Sequence, residues 1–316
     1  MSPRYASAAA FRQALETQIR LRSQRSGMSI VRLRKAVTFD RLLARLLDVA
    51  PNRWVLKGAL ALDFRLGAQA RATMDMDLAR YDDADTATVD LLAAQARDLG
   101  DYFAFSIERT DRLDALREGA AVRYHVHAEL AGRTFERVVV DVGFSERPVD
   151  ETHRRPELIT APDLLSFAGI APITVPVISL EYQIAEKLHA YTRGYGEAGM
   201  TQSTRVKDLV DLVLIADLAS FAADRLRDAL ADVFSTRRMQ PLPSRIPQQP
   251  ESWRQPYATL AKGVGIDPDL TVGHAHVAAF LDPLLAPTPM TAACWDRAEQ
   301  CWCSLEDDVE RLPPCS

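Results

Sequence analysis

The segment Arg71-Ala-Thr-Met-Asp75-Met-Asp77-Leu78 carries two carboxylates one residue apart. On a strand this spacing turns both to one face, with Met74, Met76 and Leu78 on the other. Carboxylates that close repel, and their pKa values are driven apart unless a cation lies between them. A hard divalent ion such as Mg²⁺ takes carboxylate and phosphate oxygens as ligands, so the pair has the chemistry of a metal–phosphate site; the competing reading is a solvated strand edge. Upstream, Lys57-Gly58-Ala59 precedes a short helical stretch. Glycine lets the backbone approach a ligand closely, the helix N-terminus offers free N–H groups to phosphate, and Lys57 adds a point charge. Asp141 ends the apolar run Val138-Val139-Val140, where an acid is costly to bury without a partner. Three carboxylates from two strands suit phosphoryl or nucleotidyl transfer assisted by one or two metal ions, with Asp141 joining Asp75 and Asp77 as a ligand or helping to activate a hydroxyl. Alternatively, Asp141 is a surface residue at a strand end.

A second group of charges falls further along. In Leu180-Glu-Tyr-Gln-Ile184-Ala-Glu-Lys187-Leu188-His-Ala-Tyr191, Lys187 shares a helical stripe with Leu180, Ile184, Leu188 and Tyr191. An ammonium there needs an anion or a route to water. Arg205-Val-Lys207-Asp208-Leu-Val-Asp211-Leu is apolar nearly all round, as a buried helix is, and Asp208 and Asp211 share one side. They would pair with Lys187 or Arg193, either at a nucleotide site or in a structural ion-pair network. Arg193 opens a glycine-rich loop, Arg193-Gly-Tyr-Gly-Glu-Ala-Gly-Met, whose cationic flanks could close over a triphosphate.

The elements that must position these groups follow from periodicity. Residues 8–25 and 30–48 read as helices, the second with Phe39, Leu42, Leu43, Leu46 and Leu47 on one stripe and arginines elsewhere. A short helix is predicted at Ala59–Leu66, a strand at Met74–Ala79, a helix over 84–100, and strands over 102–109, 121–130 and 134–143. Helices are predicted at Leu180–Tyr191, Arg205–Ser220 and Asp224–Phe234. Prolines 241, 243, 247, 250 and 256 exclude regular helix over 240–256, and the last 60 residues carry only a weak helical signal. The expected plan is an α/β (α+β) chain: basic N-terminal helices over 1–50, an α/β core over 51–175, a helical lobe over 176–238, and a Pro-rich linker with a C-terminal extension over 239–316.

The 316 residues are 47% hydrophobic and 26% charged, an ordinary globular composition, and carry a net charge of −5. That average argues against a uniformly basic nucleic-acid binder, yet residues 1–56 hold eleven Arg or Lys and three acids, a net of +8 that leaves −13 on the rest. Arg20, Arg22, Arg25, Arg32, Arg34 and Lys35 could track an RNA backbone or simply solvate a helix surface. No apolar run is long enough to span a bilayer and no secretory signal is visible, so a cytoplasmic protein without membrane contact is expected. Four cysteines (Cys294, Cys301, Cys303, Cys315) cluster near the end. Their spacing, with His274 and His276, does not match structural zinc sites, and thiols packed near Trp295 and Trp302 are expected.

The successive motifs Val55-Leu-Lys57-Gly58-Ala-Leu-Ala-Leu, Arg71-Ala-Thr-Met-Asp75-Met-Asp77-Leu, Ile184-Ala-Glu-Lys187-Leu-His-Ala and Arg205-Val-Lys207-Asp208-Leu-Val-Asp211-Leu resemble those of the AbiEii/MenT toxin nucleotidyltransferases, in order over roughly residues 30–220. The resemblance implies a polymerase-β-like nucleotidyltransferase core with a helical C-terminal lobe, and a toxin neutralised by a cognate antitoxin. It implies transfer of nucleotides, notably pyrimidines from CTP or UTP, to the 3′ acceptor end of tRNA, which blocks aminoacylation and translation. By the same resemblance Asp75 and Asp77 would hold Mg²⁺ or Mn²⁺, Lys187 would contact the triphosphate, Asp208 would be an essential acid, and Lys57 and Arg71 would touch phosphates. Gly58-Ala59 departs from the Gly-Ser or Gly-Gly common in the family, so a serine hydroxyl on phosphate is lost. Transfer to a protein or small molecule, or a non-catalytic nucleotide- or RNA-binding module, are the alternatives.

Overall fold

Ser7 and Ser29 explain where the first two helices begin. Each side chain accepts from a backbone N–H in the first turn, capping α1 (Ala8–Ser26) and α2 (Ile30–Val49). Gly27, at φ 73°, closes α1 in the left-handed conformation that a side chain would strain. Phe11, Leu15 and Ile19 form the buried stripe of α1, and Leu33, Val37, Leu42, Leu43 and Leu46 that of α2. The computed structural model describes residues 5–110, 121–144, 155–193, 205–237, 240–288 and 290–304. These residues divide into two compact units, the first running to Ile178 and the second from Ser179.

The first unit is built on a seven-stranded mixed sheet. After β1 (Val55–Lys57) come α3 (Gly58–Leu66), β2 (Asp75–Arg80), α4 (Ala84–Ala96), β3 (Phe103–Thr110), β4 (Ala121–Leu130), β5 (Arg133–Phe144), β6 (Glu157–Thr160) and β7 (Thr174–Val177). The sheet order is β3-β4-β5-β2-β1-β7-β6, with β2 parallel to β5 and antiparallel to β1. Alternation on β2 buries Met76, Leu78 and Arg80 and leaves Asp75, Asp77 and Ala79 half-buried on the opposite face. Met74, expected with the apolar set, precedes the strand and is 60% exposed.

Arginines of α2, expected on its polar face, are partly interior. Arg45 is fully buried and forks onto Asp101 at 2.6 and 2.9 Å, while Arg41 pairs with Asp40 at 2.6 Å. At the end of β2 the buried Arg80 pairs with Asp82 and Asp90 and lies 4.1 Å over the ring of Trp54, the residue before β1. This ties the two central strands at the end away from Asp75.

The second unit holds α5 (Leu180–Thr192), α6 (Val206–Leu218), β8 (Phe221–Ala222), α7 (Ala223–Arg237), α8 (Arg254–Val264), α9 (Leu270–Leu285), β9 (Ala293–Asp296) and β10 (Cys301–Ser304). Two corrections fall here. Pro256 does not exclude helix, because it sits in the first turn of α8, where a missing N–H costs nothing. The tail also forms a hairpin, β9–β10, paired through β9 to β8. Trp295 Nε1 donates to the Ala216 carbonyl at 2.9 Å, and Trp302 stacks on Phe280 and donates to its carbonyl at 2.8 Å. Among the described residues no helix is long and apolar enough to cross a membrane.

Candidate active site

The sheet register assembles the first unit's charged residues. Lys57 on β1 is opposite Asp77 on β2, Asp77 is opposite Asp141 on β5, and Asp141 is opposite Arg123 on β4. Directly opposed residues share a face, so a row of cation, acid, acid, cation crosses four strands, with Asp75 two residues along β2 on the same side. Arg123 donates from Nε and Nη2 to the two oxygens of Asp141 at 2.8 and 2.7 Å. Its guanidinium is held above its usual pKa, by the hydrogen bond and charge of Asp141 first and then by Asp75 and Asp77, so all three carboxylates act on one cation. The Asp75 carboxylate accepts from the Thr73 hydroxyl at 3.2 Å, and Thr73 also donates to the Asp75 carbonyl at 2.9 Å.

Gly58 fixes the approach of α3 to this row. Its φ is +69°, and a Cβ placed there would meet Asp77 Oδ2 at 2.0 Å. The helix starts at Gly58 with Lys57 in the cap position and no side-chain cap, so its first backbone N–H groups stand beside the Asp77 carboxylate. Ala59 is 6% exposed and contributes packing. The ammonium of Lys57 reaches over β5, where a Cβ on Gly143 would lie 3.4 Å from Nζ. Arg71 is half-buried in the segment leading into β2.

In the second unit Lys187 is 7% exposed and pairs with Asp211, which is fully buried, and with Asp208 at 3.7 Å. Arg205 donates to Asp208 at 2.6 Å. Two cations and two acids thus neutralise one another between α5 and α6, the ion-pair arrangement that burial demands. Arg193 ends α5 half-buried, and the glycine-rich stretch 194–204 lies outside the described residues. His189, on the next position but one to Lys187, is pushed down to a pKa of about 4, by burial first and then by Arg237 and Arg193.

The basic arm is largely consumed by the fold. Lys35 is 7% exposed and donates to the Arg137 carbonyl at 3.0 Å, which removes it from any surface an RNA could touch. Arg32 pairs with Asp63 and Arg34 with both oxygens of Glu16 at 2.7 Å. Arg20, Arg22 and Arg25, on α1, are exposed.

The residues fit a divalent ion in part. Asp75 and Asp77 offer oxygen donors on one face. Asp141, expected as the third ligand, has both oxygens engaged by Arg123. Among the described residues no group of three or more His, Cys, Asp or Glu side chains is arranged to hold a metal. That includes the tail: His274 faces the Pro247 carbonyl at 3.0 Å and His276 faces Asp217 at 3.1 Å. Cys301 and Cys303 have their Sγ atoms 3.8 Å apart and are not joined by a disulfide, whereas Cys294, expected as a thiol, is disulfide-bonded.

Arg123 was not anticipated. It sits in an alternating strand, and only the pairing of β4 with β5 gives it a carboxylate.

The family model described as the nucleotidyl transferase AbiEii toxin of a type IV toxin–antitoxin system matches residues 41–283. The chain belongs to this family and is a nucleotidyltransferase of the toxin–antitoxin class, for which an antitoxin partner is implied. Among solved structures it is similar to MenT4, a nucleotidyltransferase toxin from Mycobacterium tuberculosis, with 21% identity, 89% of this chain and 92% of that one covered, and a TM-score of 0.57. Looser likenesses are to JHP933 from Helicobacter pylori (17% identity, 79% and 93% covered, TM-score 0.43) and to an antigenic nucleotidyltransferase-like protein from Paracoccidioides brasiliensis (20% identity, 64% and 88% covered, TM-score 0.41). No curated protein matches the chain.

Proposed function

We propose that this toxin transfers a nucleoside monophosphate from a nucleoside triphosphate to the 3′ end of an RNA, with the acceptor end of tRNA as substrate and CTP or UTP as donor. The observation that carries this reading is the row Lys57–Asp77–Asp141–Arg123 with Asp75 beside it and the N-terminus of α3 against Asp77. The terminal ribose hydroxyl attacks the α-phosphorus, the bond from that phosphorus to the bridging oxygen breaks, and pyrophosphate leaves as the hydroxyl proton is released. A Mg²⁺ or Mn²⁺ bound to Asp75 and Asp77 would supply positive charge to the phosphate oxygens. Lys57 and the first N–H groups of α3 bind phosphate in this scheme, and Arg71 adds a cation at the entry to β2. Lys187 keeps the triphosphate contact, and Asp208 the role of essential acid, that the resemblance implies, with Asp211 and Arg193 as the nucleotide-site charges that their own spacing suggests. Capping the acceptor end in this way would block aminoacylation and arrest translation in the cytoplasm.

Purified protein incubated with each of the four α-labelled triphosphates, Mg²⁺ and total tRNA tests this directly. Label should enter RNA, most from CTP or UTP, and Asp75→Asn should lower incorporation by about a hundredfold or more. Label entering protein and never RNA would overturn the tRNA reading.

A further inference from the structure

Asp141 is held on both of its oxygens by a single side chain. Both its oxygens accept from the planar fork of Arg123, at 2.8 and 2.7 Å, in a bidentate pair that fixes the carboxylate's orientation as well as its charge. The pair is only partly exposed, 35% for Arg123 and 23% for Asp141, so water screens it incompletely. Asp75, in contrast, accepts a hydrogen bond from Thr73 and from no other side chain among the described residues. Asp77 and Asp141 are directly opposed on parallel strands, where two bare carboxylates would repel. Arg123 cancels that repulsion from the β4 side. For Asp141 to join a metal ion, both charge-assisted hydrogen bonds would have to break and a divalent ion would have to settle next to a guanidinium.

We infer that Arg123 is a positioning residue that keeps Asp141 out of the metal set, leaving Asp75 and Asp77 as the protein's metal ligands. Arg123 thus occupies the place that a second cation would otherwise take. This rests on the metal-dependent reading above.

The test is Mn²⁺ binding to the full chain without nucleotide, followed by the paramagnetic resonance signal of free Mn²⁺, with thermal melts to confirm folding. Wild type should bind Mn²⁺ and Asp75→Asn should lose it. Arg123→Gln should bind a second ion or hold the first at least about tenfold tighter, because Asp141 is freed. Arg123→Lys, which keeps the charge, should stay closer to wild type than Arg123→Gln. The double variant Arg123→Gln/Asp141→Asn, in which the net charge of the pair is unchanged, should return to wild-type affinity within about threefold. An Arg123→Gln protein with no second ion and less than about tenfold tightening overturns the inference. So does a double variant more than about threefold weaker than wild type, since Asp141 would then be a ligand already; this comparison decides the matter if the single variant does not fold. Wild type that binds no Mn²⁺, or Asp75→Asn that binds as wild type does, overturns the metal-dependent reading itself and this inference with it.

Discussion

Gly58 stands at φ +69° with its α-carbon against Asp77, so two separate constraints exclude a side chain there. The left-handed conformation costs about 1–2 kcal/mol for an L residue, and a Cβ would overlap Asp77 Oδ2. Gly58→Ala should therefore push β2 and α3 apart at the acidic row. The expected outcome is a fall in nucleotidyl transfer of about a hundredfold, the scale of a misplacement near 1 Å, with a folded protein by circular dichroism. Activity within about threefold of wild type would show that the close approach of α3 is incidental to the chemistry. Asp75 and Asp77 were legible as a pair because alternation on a strand is a local rule. Arg123 was not, because what makes it a site residue is the strand beside it.

At the scale of elements, α5 illustrates how burial sets a charge state. It buries Lys187 on one side, neutralised by Asp211 and Asp208, and His189 on another, edge-on to Phe234 with ring centroids 5.0 Å apart. His189 has a folded pKa of about 4 against an ordinary 6.5. Between those values the unfolded chain binds a proton that the folded one refuses, so this histidine's contribution to stability is complete above about pH 6.5 and declines as pH falls toward 4. Urea unfolding should show a midpoint that drops from pH 7 to pH 5, and His189→Gln should flatten that drop. An equal slope in the variant would assign the pH dependence to other groups. Helices α5, α6 and α7 were readable from apolar periodicity, as was the nearly all-round burial of α6, whereas α8 and α9 were not, because their stretch of chain is proline-rich and mixed in composition. The hairpin β9–β10 was not, since its strands are four residues long and are held by Trp295 and Trp302 against α6 and α9.

For the whole molecule, the distribution of charge matters more than the net of −5, and the fold redistributes it again. Much of the +8 arm is spent inside the first unit: Arg12 binds the carbonyls of Leu130, Arg133 and Thr134, and Arg32, Arg34, Lys35, Arg41 and Arg45 all have partners there. Replacing Arg20, Arg22 and Arg25 together by Gln should weaken tRNA binding and lower the salt dependence of its logarithm by up to about three phosphate contacts, with little change in melting temperature. Arg34→Gln and Lys35→Met should instead lower stability. A triple variant with unchanged affinity and salt slope would remove α1 from the RNA surface. The amino-acid sequence by itself determined the helices up to α7, the central strands, the paired acids and the family motifs, because these depend on periodicity, capping and residue order within a few turns of chain. The tertiary structure decided that Asp141 is held by Arg123, and which arginines are surface and which are core. Those outcomes depend on strand register and helix packing between residues far apart in the chain, as Asp141 and Arg123 show: they are 18 residues apart in sequence and joined by two hydrogen bonds.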